Sequence, residues 1–347
     1  MTDTSQPLPL QIAHMRRRQR ARQTGLNLFL LTLVAVGFVL TLMSGHTFVP
    51  LGDVIRSLLG ETIAGASFTV VELRFPRAVL SILTGMCFGM GGVAFQTMLR
   101  NPLASPDIIG ISAGASASAV FAIVVLSLSG PMVSLIAVIA GLGVALAIYA
   151  LSWRNGVTAA RLILVGIGLS AMLQSLISYL LLRAPSWSLQ EAMRWLMGSV
   201  NGAQLDQALP LFLALCICGG LLLAQANNLE ALRMGDETAA GLGVSLTRTR
   251  ITVIVSAVGL IAFAAAASGP IAFVSFLSGP IAARIAGRTG SLLIPAALVG
   301  AALVLFSDYA GQVLLPARYP VGVVTGVLGA PYLIYLITRA HKTGGAL

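Results

Sequence analysis

Catalysis needs nucleophiles, bases or metal ligands that converge, and such side chains are scarce in these 347 residues. The three histidines, His14, His46 and His341, and the three cysteines, Cys87, Cys216 and Cys218, form neither an H-E-x-x-H nor a C-x-x-C pattern. The spacing for metal hydrolysis or dithiol redox chemistry is missing. Cys216 and Cys218, two apart in a helical context, point to different faces, and all three thiols read as buried apolar groups. Lys342 is the only lysine, so there is no Walker A loop, and any ATP that drives this chain is bound by another. What the sequence does offer is recognition by charge. Arg74 and Arg77 flank Pro76, in a bend that would hold both guanidinium groups near the water interface, where they can pair bidentately with carboxylates. The plainer alternative is a pair of arginines at a helix end, snorkelling to headgroups or meeting Glu72. Farther on, Asp236 and Glu237 follow Gly235 and precede Gly241 and Gly243. The acids favour the N-terminal end of the next helix, and the glycines permit a sharp bend or a close backbone approach.

The elements that hold these groups are membrane helices. Apolar residues make up 57% of the chain and charged residues 9%, against about 45–50% and about 25% in soluble domains. Eight charge-free runs can be read off: 23–52, 78–99, 108–153, 162–182, 207–229, 251–283, 289–307 and 319–338. At about 20 residues per crossing, 108–153 is too long for one span, and Ser129-Gly130-Pro131 splits it. Ser268-Gly269-Pro270 offers the same break inside 251–283. Two crossings there put Arg284, Arg288, Arg339 and Lys342 on the cytosolic side, as the positive-inside tendency requires. The expectation is an all-α integral membrane protein of ten transmembrane helices with both termini cytosolic, the eighth helix reaching about Arg288.

On that topology the cytosolic side holds 15 basic and 5 acidic residues, while the outer side holds six of each. The whole net charge of +10 faces the cytosol, which explains the basic balance without nucleic acid. Residues 1–25 form a cytosolic basic tail with Arg16, Arg17, Arg18, Arg20 and Arg22 and no persuasive cleavage site. The first span is Leu26 to Leu42, the single domain covers 26–340 with a cytosolic loop at about 230–250, and 341–347 is a short tail. Outer segments at about 45–76 and about 184–207, the latter with Trp187 and Trp195, are long enough for short interfacial helices. Every carboxylate falls in a loop or at a helix end, with Asp107 and Asp308 nearest to a span. A carrier powered by protons or sodium is therefore disfavoured, although unwound backbone can also bind ions.

Several strings together carry a resemblance. Leu73-Arg74-Phe75-Pro76-Arg77 opens the second span, and Gln96-Thr97-Met98-Leu99-Arg100-Asn101-Pro102-Leu103-Ala104-Ser105-Pro106-Asp107 closes it, followed by Gly110-Ile111-Ser112-Ala113-Gly114-Ala115. Later come Gly235-Asp236-Glu237-Thr238-Ala239-Ala240-Gly241-Leu242-Gly243-Val244, Gly269-Pro270-Ile271-Ala272-Phe273, Asp308, and Tyr319-Pro320-Val321-Gly322-Val323-Val324-Thr325 with Gly329-Ala330-Pro331. Over about residues 26 to 340 the chain resembles the FecCD family, permease subunits of ATP-driven importers of iron–siderophore complexes, haem and vitamin B12. Two departures stand out. The family's P-H-I-A-R string is Gly279-Pro280-Ile281-Ala282-Ala283-Arg284 here, so no role resting on its His carries over. Where a basic residue often follows Asp308, this chain has Gln312, with Arg318 as a nearby substitute.

The resemblance implies a bacterial inner-membrane subunit that binds no cofactor of its own. ATP and Mg would sit in a partner ATPase pair, beside a second permease chain, identical or paralogous, and a periplasmic or lipid-anchored binding protein. Two short helices within 234–250 would dock in the ATPase through Gly235, Asp236, Glu237, Ala239, Leu242 and Gly243. Arg74, Arg77 and Arg318 would meet acidic groups of the binding protein. The NPLASPD loop would stop one helix and start the next, capped near Asp107. Ser112, Ser116, Gln174, Ser175 and Ser178 are candidates to line the path, although small residues serve helix packing equally well. The cargo expected is a ferric siderophore, with vitamin B12 or haem as the alternative; Gly279-Pro280 and the Arg154-Asn155-Gly156 turn are similar to enterobactin-type permeases that work as half of a heterodimer. A secondary transporter or channel is the alternative of another class.

Overall fold

Glycine and proline decide where the helices stop. The computed structural model describes residues 8–45, 47–104, 110–153, 159–287 and 290–342, and every regular element among them is helical. The first, α1 (Leu8–Met43), is longer than the expected span, because the Arg- and Gln-rich stretch before Leu26 is made of good helix formers and joins it without a break. A short helix follows, α2 (Leu51–Leu58). A wide π-helical turn, Phe68–Arg74, then runs straight into α3 (Phe75–Met98), with Pro76 in the first turn where its missing N–H costs nothing.

After the stop at Leu99 come α4 (Ile111–Val124) and α5 (Pro131–Leu151). Gly130, at φ 63°, and Pro131 make the break between them that the sequence signals. Next are α6 (Ala159–Arg183), the short helix α7 (Ser186–Met197) and α8 (Leu205–Ala224), which contains a π turn at Leu215–Gly219. Two short helices, α9 (Ala226–Arg233) and α10 (Asp236–Gly241), lead into α11 (Leu246–Ser268). The break at Gly269 and Pro270 is present, and α12 (Val274–Ala286) ends close to where the eighth span was expected to end. The last two are α13 (Leu293–Tyr309) and α14 (Val321–Lys342).

Among the described residues seven helices are long and apolar enough to cross a bilayer, and three shorter apolar ones, Ile111–Val124, Val274–Ala286 and Val321–Tyr335, accompany them. The core is built around α3, which packs against α13, α11 and α12. These crossings are close because one side of α3 has no side chains to keep neighbours away. A Cβ on Gly85 would strike the carbonyl of Gly300, one on Gly89 the carbonyl of Ala296, and one on Gly92 the carbonyl of Ser275. Lipid tails are as apolar as leucine, so it is this packing, not hydrophobic burial, that joins helices in a bilayer.

Candidate functional site

Three places hold the residues singled out from the sequence: the N-terminal end of α3, a cavity beside α4 and α6, and the bend around α10. At the N-terminal end of α3 the arginines are not displayed. Arg74 lies in the π turn and is only 8% exposed. Its Nη1 donates to the carbonyls of Leu42 and Met43, at 2.8 and 3.0 Å, and its Nη2 to that of Thr47 at 2.6 Å. It thereby caps the last turn of α1, whose carbonyls have no helical donor. Arg77 pairs with Asp308 of α13: its Nη2 donates to Oδ1 at 2.7 Å, and its Nε lies 2.7 Å from Oδ2. The expected free guanidinium pair thus gives way to two internal anchors, because Phe68–Arg74 continues the helix instead of bending to water. Glu72 is not among these partners. Arg318 remains exposed beyond α13. The Arg77–Asp308 pair went unread, although a carboxylate inside an apolar run must find a cation.

The cavity is an open one of about 690 Å³ between α4, α6, α7, the break before α12, and α14. Ser112 and Ser116 of α4 and Gln174 of α6 line it, with Ser170, Phe273 and Phe276. The residues lining it carry no charge, and most of the wall is apolar, so it can accept a bulky solute without gripping an ion. Ser175 and Ser178 do not line it: each donates to the carbonyl four residues earlier in α6, Ala171 and Gln174, on an exposed face. Phe273 takes the left-handed backbone conformation, φ 65°, just before α12, and its ring meets that of Phe276 edge to face, centroids 6.3 Å apart.

At the bend around α10, Asp236 and Glu237 occupy the first turn of that helix, as their charges favour. Gly235 at φ 109° and Gly243 at φ 84° bound the short helix, conformations that a side chain would strain. Asp236 is more than a helix start. Its Oδ2 accepts from Arg250 Nη2 of α11 at 2.7 Å, and its Oδ1 lies 3.5 Å from Arg100 Nη2 just past α3. Ala239 is fully buried, while Glu237 and Gly243 are exposed and Met234 and Leu242 show 66% and 63% of their surface. Of the two short helices expected within 234–250 only α10 is there. Its companion, α9, lies earlier, and residues from Leu246 already belong to α11.

The loop after α3 holds Asn101, whose Oδ1 accepts from the Leu103 amide at 2.9 Å. Asp107 and the Arg154-Asn155-Gly156 turn lie outside the described residues. Cys87 is buried but Cys216 is exposed, a correction that follows from α8 presenting much of its apolar surface outward. Among the described residues no group of three or more His, Cys, Asp or Glu side chains comes together to hold a metal.

Comparison with known proteins finds relatives along nearly the whole chain. The profile of the FecCD transport family matches residues 33–339. The chain is 37% identical over 319 residues to the ferric enterobactin transport system permease protein FepG of Escherichia coli (strain K12), covering 91% of this chain and 96% of that one. It is 36% identical to the achromobactin transport system permease protein CbrC of Dickeya dadantii (strain 3937), over 89% and 90% of the two chains. It is also 32% identical to the vitamin B12 import system permease protein BtuC of Vibrio vulnificus (strain CMCP6), over 95% and 97%. A metal-chelate type ABC transporter solved in an inward-facing conformation superposes with a TM-score of 0.79 at 25% identity, covering 91% of this chain and 99% of that one.

Proposed function

Since the chain belongs to the FecCD transport family, we propose that it is the permease subunit of an ABC importer and that its cargo is a ferric siderophore. The observation that carries the cargo is the near full-length likeness to siderophore permeases, 37% and 36% identical. Vitamin B12 is the second reading, favoured by the 32% identity to BtuC. The ten-span topology with both termini cytosolic is part of the proposal. The seven long and three shorter apolar helices supply enough segments for it, and the charge bias orients them.

In this reading ATP is hydrolysed by a separate subunit pair that grips α10. The bend presents Met234, Glu237 and Leu242 outward, while Asp236 and Ala239 hold it to the bundle. Closure of the ATPases would move α10 and bias a two-state bundle between outward and inward access. A binding protein would settle on the outer face, with Arg318 as an accessible cation there and Arg74 and Arg77 bracing the platform beneath. The exposed side of α6, where Ser175 and Ser178 stand, is available to a second permease chain across the path, a bacterial inner-membrane assembly.

Uptake by a deletion strain of labelled ferric catecholate, ferric hydroxamate, haem and cobalamin tests the cargo. Selective loss of one ferric siderophore is expected, and loss of cobalamin alone would transfer the protein to the second reading. Glu237→Lys tests the grip: uptake should fall at least several-fold with unchanged membrane insertion, and normal uptake would count against an ATPase seated there.

A further inference from the structure

A proline within a membrane helix withdraws one amide and leaves the carbonyl four residues earlier without its helical donor. In α12 the proline is Pro280 and the carbonyl is that of Phe276. From α3, Gln96, only 6% exposed, donates its Nε2 hydrogen to this same carbonyl at 2.9 Å. The residue beside the proline is Gly279, and a Cβ there would collide with Gln96 Oε1. One residue removes a donor, a second returns it from the neighbouring helix, and a third clears the space the second occupies.

The site of this exchange bears on the cavity. Phe276 places its ring on the wall of the cavity, beside Phe273, while its carbonyl is tied to α3. The backbones are close enough for a direct bond because Gly92, four residues before Gln96, lies against the carbonyl of Ser275. We infer that Gln96 is a positioning residue: it substitutes for the amide that Pro280 lacks, holds α12 to α3 across the proline, and so keeps Phe273 and Phe276 on the cavity wall. An ordinary packing role for Gln96 would not depend on residue 280. The proposed role does.

The test is a double-mutant cycle on the full chain purified in mixed detergent–lipid micelles, with denaturant unfolding as the readout. Gln96→Leu should raise the unfolding equilibrium constant by roughly 3- to 20-fold, the range of interhelical hydrogen bonds in bilayers. On a Pro280→Ala background, which restores a backbone donor, the same change should shift it by less than about twofold. Equal losses on both backgrounds would overturn the inference. If Gln96→Leu alone does not accumulate in membranes, recovery of accumulation by Pro280→Ala supports it, and continued absence overturns it. The transport consequence rests on the permease reading and is measured separately, as ferric enterobactin uptake: lost in Gln96→Leu and restored in the double variant. An unchanged rate in Gln96→Leu would overturn the positioning of the cavity wall. Wild-type protein that imports none of the ferric chelates offered would sink the transport reading alone, leaving the stability cycle to stand by itself.

Discussion

The second and fourth long apolar segments, α3 and α6, read alike in composition and differ entirely in surroundings. The most apolar stretch of the segment containing α3 is 78% buried within the chain, whereas that of α6 is 17% buried. One is gripped on several sides by α11, α12 and α13; the other leaves Leu164, Met172 and Leu182 at 70%, 70% and 86% exposure. In water such an exposed stripe would be costly, but beside lipid tails it carries no penalty. Apolarity in this protein therefore says only that a segment is in the membrane. Which face is packed is decided by small residues and by the few polar groups that must find partners.

That contrast can be broken most forcefully at the polar anchor of α3. Asp308→Ala leaves Arg77 buried without its carboxylate, and the expected loss is about 3–5 kcal/mol, read as a collapse of folded protein in the membrane. Replacing both partners with apolar residues should recover much of it; no recovery would mean that the charges do more than satisfy each other. A smaller loss is expected from Gly89→Val, which forces α3 and α13 apart where a Cβ already meets a carbonyl. Overpacking of this kind costs about 1–3 kcal/mol, measurable by unfolding in micelles. At the other extreme, Leu182→Ala on α6 should change the stability of the isolated chain by under about 0.5 kcal/mol. A large effect there would show that this face is packed in the single chain after all.

The contrast also marks what could be read from the residues. Helix ends were legible wherever backbone chemistry alone decides them, as at Gly130-Pro131 and Gly269-Pro270, and the start of α10 followed from two adjacent acids. The ion pair of Arg77 with Asp308 was not, since 231 residues separate its members. Nor was the burial of Arg74, whose partners are main-chain carbonyls that any sequence would supply. Among the small polar residues, Ser112 and Ser116 proved to face the cavity while Ser175 and Ser178 do not. Their local sequence offers no distinction, because a serine beside alanines suits a wall, a packed crossing and a self-bonded helix surface equally well.

A single carboxylate at the bend around α10 reaches side chains from two different helical segments, Arg100 after α3 and Arg250 in α11. On the proposed function it would work as a yoke, through which a shove delivered to α10 reaches the bundle's central post and its neighbour together.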